Sequence, residues 1–254
     1  MIPTPPEAMS AAVLVTTLKR FAGLARLAEH PESIARGLVP LIEAAFLHAD
    51  DAPRRCLLSQ AKADARFADL LVTEVFTDVA RSLETGWNDD HLSFVDVTIA
   101  STRLQDAIRI LSRPCPPARD IASLLMIVPQ WEQHGLPAIF ATEKLRRLGA
   151  PTRLLSGLST PEIIRLAARI APHAVLISTS SYRSAARLPE LVRSLRKDIP
   201  QTFPIIVGGP AMVENRTLCA HSGADLATSD LNEALRFCDF PLREVTVPVS
   251  AAGV

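Results

Sequence analysis

The chain has 254 residues, 48% of them hydrophobic, and 27 Lys+Arg balance 27 Asp+Glu to give no formal net charge. That length exceeds the usual single domain and suggests two, each large enough to bury a core. The balanced charge gives no basic field to hold a polyanion, which argues against autonomous nucleic-acid binding unless a protein partner supplies it.

The four cysteines, Cys56, Cys115, Cys219 and Cys238, are far apart and form no C-x-x-C pair, so neither a zinc knuckle nor a disulfide framework is signalled. A reducing compartment fits them best. The start, Met1-Ile2-Pro3-Thr4-Pro5-Pro6, lacks a basic n-region, and Lys19 and Arg20 interrupt the apolar residues that follow. No apolar run is long enough to span a bilayer. The expectation is a soluble cytoplasmic protein with no membrane partner.

From Ala8 to about Ser112, Leu, Ala, Val and Ile recur at three- and four-residue spacings with few glycines, which predicts helices near 8–28, 32–48, 55–84 and 89–112. Breaks are expected at His30-Pro31, Asp50-Asp51-Ala52-Pro53 and Thr85-Gly86-Trp87. Short connections between four helices predict a bundle over residues 1–113. Arg113-Pro114-Cys115-Pro116-Pro117 cannot continue a helix, because proline lacks the amide donor and clashes with the preceding turn. It reads as the linker.

After it, short apolar runs alternate with amphipathic segments, the pattern of repeated β-α units on a parallel sheet, over residues 118–248. Strands are expected at 123–128, 152–156, 173–178, 203–207 and 224–227, and helices at 137–148, 160–171, 184–198, 211–221 and 230–237. Gly149 reads as a C′ glycine, and Thr160-Pro161-Glu162 as a cap followed by an N1 proline. The tail after Pro248 is expected to fray.

Chemistry gathers in the second half. Trp131-Glu132-Gln133-His134-Gly135-Leu136-Pro137 puts an imidazole on a strand-to-helix loop, at the carboxyl edge where open parallel sheets hold ligands. Glu132, two residues upstream, can accept from one ring nitrogen and leave the other as a metal donor. The plainer alternative is that His134 caps the next helix or faces water. Ser178-Thr179-Ser180 and Gly208-Gly209-Pro210 follow two later strands. The serines offer hydroxyls to a buried heterocycle or cap a helix. The double glycine lets a planar ring approach the backbone, or makes an ordinary β-α turn. As a set these edges suggest a large metal-containing cofactor.

On these residues the second half, about 120–240, resembles the cobalamin-binding Rossmann-like domain of methionine synthase, corrinoid carriers and cobalamin photoreceptors. The pattern there is D-x-H-x-x-G, then S-x-L or S-x-T, then G-G. Here Glu132 stands for the aspartate, Pro137 for the last glycine, and Ser180 where leucine is common. The helical first half is similar to the bundle that caps cobalamin in those proteins, and nearly the whole chain resembles the AerR/PpaA type of photosynthesis-gene regulators. Photoreceptors of this group show W-x9-E-H. Trp87 matches the tryptophan, Val97-Thr98 replaces the E-H pair, and His91, placed one turn beyond Trp87, reads as solvent-exposed. On its own, Trp87 is equally a core aromatic of the bundle.

The resemblance implies an α/β protein with a four-helix bundle followed by a Rossmann-like, flavodoxin-like domain, and a corrinoid held between them. It implies His134 as the lower axial ligand of cobalt, and ring or tail contacts from Trp87, Val97, Glu132, Gly135, Ser178, Ser180, Gly208, Gly209 and Pro210. The cofactor would be adenosyl-, methyl- or hydroxocobalamin. The expected role is a light-responsive, antirepressor-type regulator acting on a transcription-factor partner, and not an enzyme. Alternatives are a corrinoid methyl carrier, a haem-binding redox or oxygen sensor with His134 still axial, and an interaction module that binds nothing. Tyr182 and His221 read as surface or helix-end residues, and Arg146-Arg147 and Arg193 to Lys197 as solvated charge clusters.

Overall fold

The computed structural model describes residues 9–27, 32–112, 122–209 and 220–240. The chain divides into two compact units, Met1–Ser112 and Arg113–Val254.

The first unit is helical: α1 (Ala11–Leu27), α2 (Glu32–Leu47), α3 (Ala52–Ala63), α4 (Ala65–Leu70), a π-helical turn (Leu71–Val75), α5 (Phe76–Asn88) and α6 (Phe94–Ile110). Its core is built from residues at helical spacing, Leu14 and Leu18, Leu38 and Ile42, Phe76, Val79 and Leu83, Leu104 and Ile108, all at most 1% exposed. Phe46 and Phe76 meet edge to face at 5.8 Å. The orphan carbonyls at the end of α2 are taken by two guanidiniums. Arg54 Nη1 donates to the Ala45 and His48 carbonyls at 2.9 and 2.7 Å, and Arg103 Nη1 to the Phe46 carbonyl at 2.6 Å.

The sequence expectation of one helix over 55–84 is corrected. Asp64 breaks it, because its extended backbone frees the carboxylate to cap α4 by accepting from the Arg66 and Phe67 amides. The expected break at Thr85-Gly86-Trp87 is absent; α5 runs through to Asn88. The chain reverses there because the Gly86 carbonyl accepts from the His91 and Leu92 amides, with the Leu92 side chain lying where a Gly86 Cβ would point. The next helix starts at Phe94, capped by a reciprocal Ser93/Asp96 box.

The second unit is a parallel five-stranded sheet of order β2-β1-β3-β4-β5 with helices interleaved. Its elements are β1 (Leu124–Pro129), α7 (Leu136–Arg147), β2 (Thr152–Leu158), α8 (Thr160–Ile170), β3 (Ala174–Ser178), α9 (Tyr182–Ala185), α10 (Leu188–Asp198), β4 (Ile205–Gly208), β5 (Leu226–Ala227) and α11 (Leu231–Phe237). This is the flavodoxin-like strand order, so the fold class is Rossmann-like α/β preceded by helices. Every residue of β1 and of β3 is buried, as central parallel strands require, whereas the edge strand β2 is half exposed.

Alternation along the strands feeds two cores. Leu125, Ile127, Val175, Ile177, Ile205 and Val207 pack with Ile163 of α8 and Leu191 and Leu195 of α10. Leu124, Met126, Val128, Leu176 and Ile206 pack with Ala138 and Leu145 of α7 and Leu235 of α11. Gly149 has φ +86°, the left-handed C′ glycine expected after α7. The cap of α8 is Ser159 rather than Thr160, in a reciprocal box with Glu162. The expected 184–198 helix divides into α9 and α10, with Pro189 in the first turn of α10. Arg146 and Arg147 are not solvated: both pair with Glu143, itself 3% exposed, at 2.6 and 2.7 Å. The proline-rich linker, Pro210, Cys115, Cys219 and most of the 211–221 helix lie outside the described residues.

Candidate functional site

In this strand order the chain leaves β1 toward β2 on one side, while β3 lies on the other. The loops after β1 and β3 therefore diverge at their carboxyl ends, which opens a crevice. His134 sits on the first of these loops, and Ser178, Thr179 and Ser180 begin the second. Sequence separations of 46 and 48 residues thus collapse to hydrogen-bonding distance.

Glu132 is the centre of the arrangement. Its side chain is fully buried, while that of His134 is 68% exposed. Oε1 accepts from the His134 amide at 2.8 Å and from the Ser180 hydroxyl at 2.7 Å, and Oε2 accepts from the Ser180 amide at 2.8 Å. Burial pushes the Glu132 carboxyl upward, but the bonds from the Ser180 hydroxyl, the His134 and Ser180 amides and the Ser184 hydroxyl outweigh it and hold the group below its ordinary range. Glu132 is therefore an ionised carboxylate that only accepts.

The ring of His134 presents Nδ1 to two oxygens, Glu132 Oε1 at 3.1 Å and Ser180 Oγ at 2.9 Å. An ionised carboxylate beside Nδ1 requires the proton on that nitrogen. Nε2 then keeps its lone pair, on an exposed ring at the sheet's carboxyl edge. This is the arrangement of a metal-ligating histidine with an orienting carboxylate. A serine, a histidine and an acid also suggest a nucleophilic triad, but a triad needs serine and acid on opposite ring nitrogens. Here both oxygens address Nδ1, so the trio orients the ring and does not activate Ser180.

The neighbouring edges are tightly built. Ser178 ends β3, paired with Gly208, and is 9% exposed. The Thr179 amide donates to the Gly208 carbonyl at 2.9 Å, and its buried Oγ1 has no hydrogen-bond partner among the described residues. Gly209 has φ +114°, and a Cβ there would lie 2.0 Å from the Thr179 carbonyl oxygen. Gly209 is thus required by the chain's own packing against the end of β3, while a Cβ at Gly208 would meet the Thr228 carbonyl oxygen at 3.0 Å. Gly135 is the N-cap residue of α7, with ordinary space around its Cβ position.

The Ser180 hydroxyl lies against Glu132 Oε1 and His134 Nδ1. Ser184 (7% exposed), which reaches Glu132 from α9, was not singled out in the sequence; only its place in a serine-rich run hints at it. Trp131 packs on the sheet core with the Arg187 guanidinium 5.6 Å from its ring centroid, another partner the sequence did not show.

In the first unit, Trp87 lies in the last turn of α5, not at the start of the following helix, and is 49% exposed, so it does not fill the bundle core. Phe94, Val95 and Ile99 are 70%, 59% and 42% exposed on α6, and Val97 is half-buried. His91 is exposed, in the turn between α5 and α6 rather than on a shared helical face with Trp87. Among the described residues, no group of three or more His, Cys, Asp and Glu side chains could hold a metal ion alone, and no helix is long and apolar enough to cross a membrane.

A helical unit followed by a flavodoxin-like sheet, with one oriented imidazole at the β1–β3 crevice, defines a two-unit α/β protein with the fold of a known corrinoid protein. The monomethylamine corrinoid protein of Methanosarcina barkeri superposes with a TM-score of 0.60 over 80% of this chain and 97% of its own, at 15% identity. No family model matches the chain. In sequence it is 30% identical over 166 residues, 64% of its length, to 86% of an uncharacterized 20.5 kDa protein in the bchF-crtJ intergenic region of Rhodobacter capsulatus. The chain belongs to the family of that protein.

Proposed function

We propose that the chain binds a corrinoid through His134 Nε2 and serves as a regulatory protein that acts through a protein partner, a transcriptional repressor, rather than on DNA. The observation that carries the cofactor reading is the buried, ionised Glu132, which leaves Nε2 of an exposed ring as a free donor at the sheet's ligand edge. The residues fit the group in two respects. A lone imidazole is too small a donor set for a bare ion but suits a metal held by its own macrocycle. Thr179 keeps an orphaned buried hydroxyl beside the site.

When bound, the corrinoid supplies a cobalt centre with a cleavable upper bond. The chain's residues orient around it: Glu132 holds the Nδ1 proton, Ser180 and Ser184 hold Glu132, and Ser178 and Thr179 offer hydroxyls at the β3 edge. Light is the signal we favour, and the regulatory role is supported by the bchF-crtJ location of the relative together with the resemblance to AerR/PpaA-type regulators. No catalytic residue is assigned.

The test is purification with adenosyl-, methyl- and hydroxocobalamin, with spectra recorded in the dark and after illumination. A corrinoid spectrum that changes in His134→Ala supports the reading. No corrinoid spectrum with any of the three, or one indifferent to His134→Ala, removes it. An intense Soret band on haem titration, without competition by cobalamin, would replace it with a haem site. Methyl transfer to the bound cob(I)alamin from a partner enzyme would replace the regulator with a carrier.

A further inference from the structure

We infer that the outward face of α8, α9 and α10 in the second unit is a docking surface for an acidic protein partner, anchored by Arg187 on the Trp131 ring. The chain is neutral as a whole, but its charge is segregated. Met1–Ser112 holds 11 Lys+Arg against 15 Asp+Glu, and Arg113–Val254 holds 16 against 12. Six exposed cations of the second unit form three pairs at i, i+4 spacing: Arg165 and Arg169 of α8, Arg183 and Arg187 in and after α9, and Arg193 and Lys197 of α10. In α8, Ile163 and Ala167 are buried on the sheet core, and each arginine stands two residues further on, about 200° around the helix, so it points away from the sheet. Leu191 and Leu195 are related to Arg193 and Lys197 in the same way. The two helices pack side by side, and because each follows a strand of a parallel sheet they run in the same direction. Cations on one helix are about 6 Å apart along its axis and packed axes about 8–10 Å apart, comparable with a Debye length of about 8 Å, so their fields add.

The spacing does nothing for the fold, since like charges at i, i+4 weaken a helix. Among the described residues none of the six makes an ion pair, whereas Arg196 of α10 is committed to Asp225. Arg165 lies beside Glu162, but that carboxylate is already tied to Ser159 in the α8 cap. Arg187 is the N-cap residue of α10, yet its side chain takes no part in the cap; its Cζ lies 5.6 Å from the centroid of the Trp131 ring. Trp131 is half-buried against the core that α8 and α10 cover, so the ring holds the guanidinium in place while its in-plane donors stay available to a carboxylate. Tryptophan and arginine are the residues that most often carry interface energy. A protein fits this face better than a nucleic acid does. Glu162, Glu190 and Asp198 are exposed among the cations; they would repel a polyanion, whereas a protein surface can answer them with cations of its own. The inference deepens the partner-mediated action proposed above and rests on that reading for the partner's role, but not on the corrinoid.

The experiment uses the full chain without cofactor, so a failure of corrinoid binding and a failure of this inference are read separately. The probe is a fluorescein-labelled helical peptide with glutamates paired at i, i+4, followed by anisotropy at physiological salt. The same peptide with lysines in their place and a labelled DNA duplex are the comparisons. Wild type is expected to bind the glutamate peptide, more weakly as salt is raised, and not the lysine peptide. Arg165→Glu combined with Arg193→Glu should weaken binding about 10-fold, and Arg187→Ala should weaken it by a similar factor through loss of the anchor. Arg81→Glu combined with Arg109→Glu, the same charge change on the helical unit, should leave it unaltered. Each reversal on α8 and α10 creates an opposite-charge i, i+4 pair, so that variant should melt at or above the wild-type temperature; a lowered one would make the arginines structural and overturn the inference. No binding of the glutamate peptide, or binding indifferent to the reversals, also overturns it. Duplex DNA bound more tightly than the peptide, with the same dependence on Arg165 and Arg193, would make the face a nucleic-acid surface instead.

Discussion

Replacing Gly209 by alanine tests whether the double glycine is demanded by the sheet itself. Two costs coincide at this residue. Its φ of +114° lies in a region that residues with a Cβ avoid, at a cost of about 1–3 kcal/mol. The new methyl carbon would also sit 2.0 Å from the Thr179 carbonyl oxygen and 2.9 Å from its carbonyl carbon, both backbone atoms that cannot rotate away. Relief requires the ends of β3 and β4 to part, which disturbs the bond from the Thr179 amide to the Gly208 carbonyl and costs about as much as overpacking a core, roughly 1–3 kcal/mol. A loss near 4 kcal/mol should lower the melting temperature of the second unit by about 13 °C. Thermal and urea denaturation of Gly209→Ala, with Gly135→Ala as control, measure it; Gly135 has only an ordinary contact at 3.9 Å and should be near neutral. A Gly209→Ala protein as stable as wild type would refute the reasoning and return the glycines to a ligand-access role.

Because the Glu132 carboxyl is held below its ordinary value of 4.5, its contribution to stability is fully present above that value and is lost as pH falls through the lower, folded-state value. The melting-temperature gap between wild type and Glu132→Gln, measured from about pH 7 down to about pH 3, should therefore shrink toward acid; a gap that widens would contradict the hydrogen-bonded carboxylate. Trp87→Ala removes a half-exposed ring and should cost under about 1 kcal/mol in melts. A loss of about 3 kcal/mol or more, the range of a buried aromatic, would make it a core residue after all.

The chain's alternating apolar runs revealed the β-α order of the second unit almost residue by residue, since a strand buried on both faces must be continuously apolar, as Leu124 to Val128 is. Helices of the first unit were legible from their spacing, but their ends were not. Asp64 stops a helix by a local cap inside an apolar rhythm that continues past it, and the extension of α5 to Asn88 depends on Leu92 folding back over Gly86. His134 and Glu132 were legible because they are neighbours in the chain, and a two-residue spacing already states their geometry. Nothing local could announce that Ser180 and Ser184 close on the same carboxylate, or that Gly209 faces the Thr179 carbonyl. Those contacts exist only because parallel strands bring successive carboxyl ends to one edge. The sequence alone determined the order of elements and the pairing of Glu132 with His134; strand order in three dimensions decided which hydroxyls close on that pair.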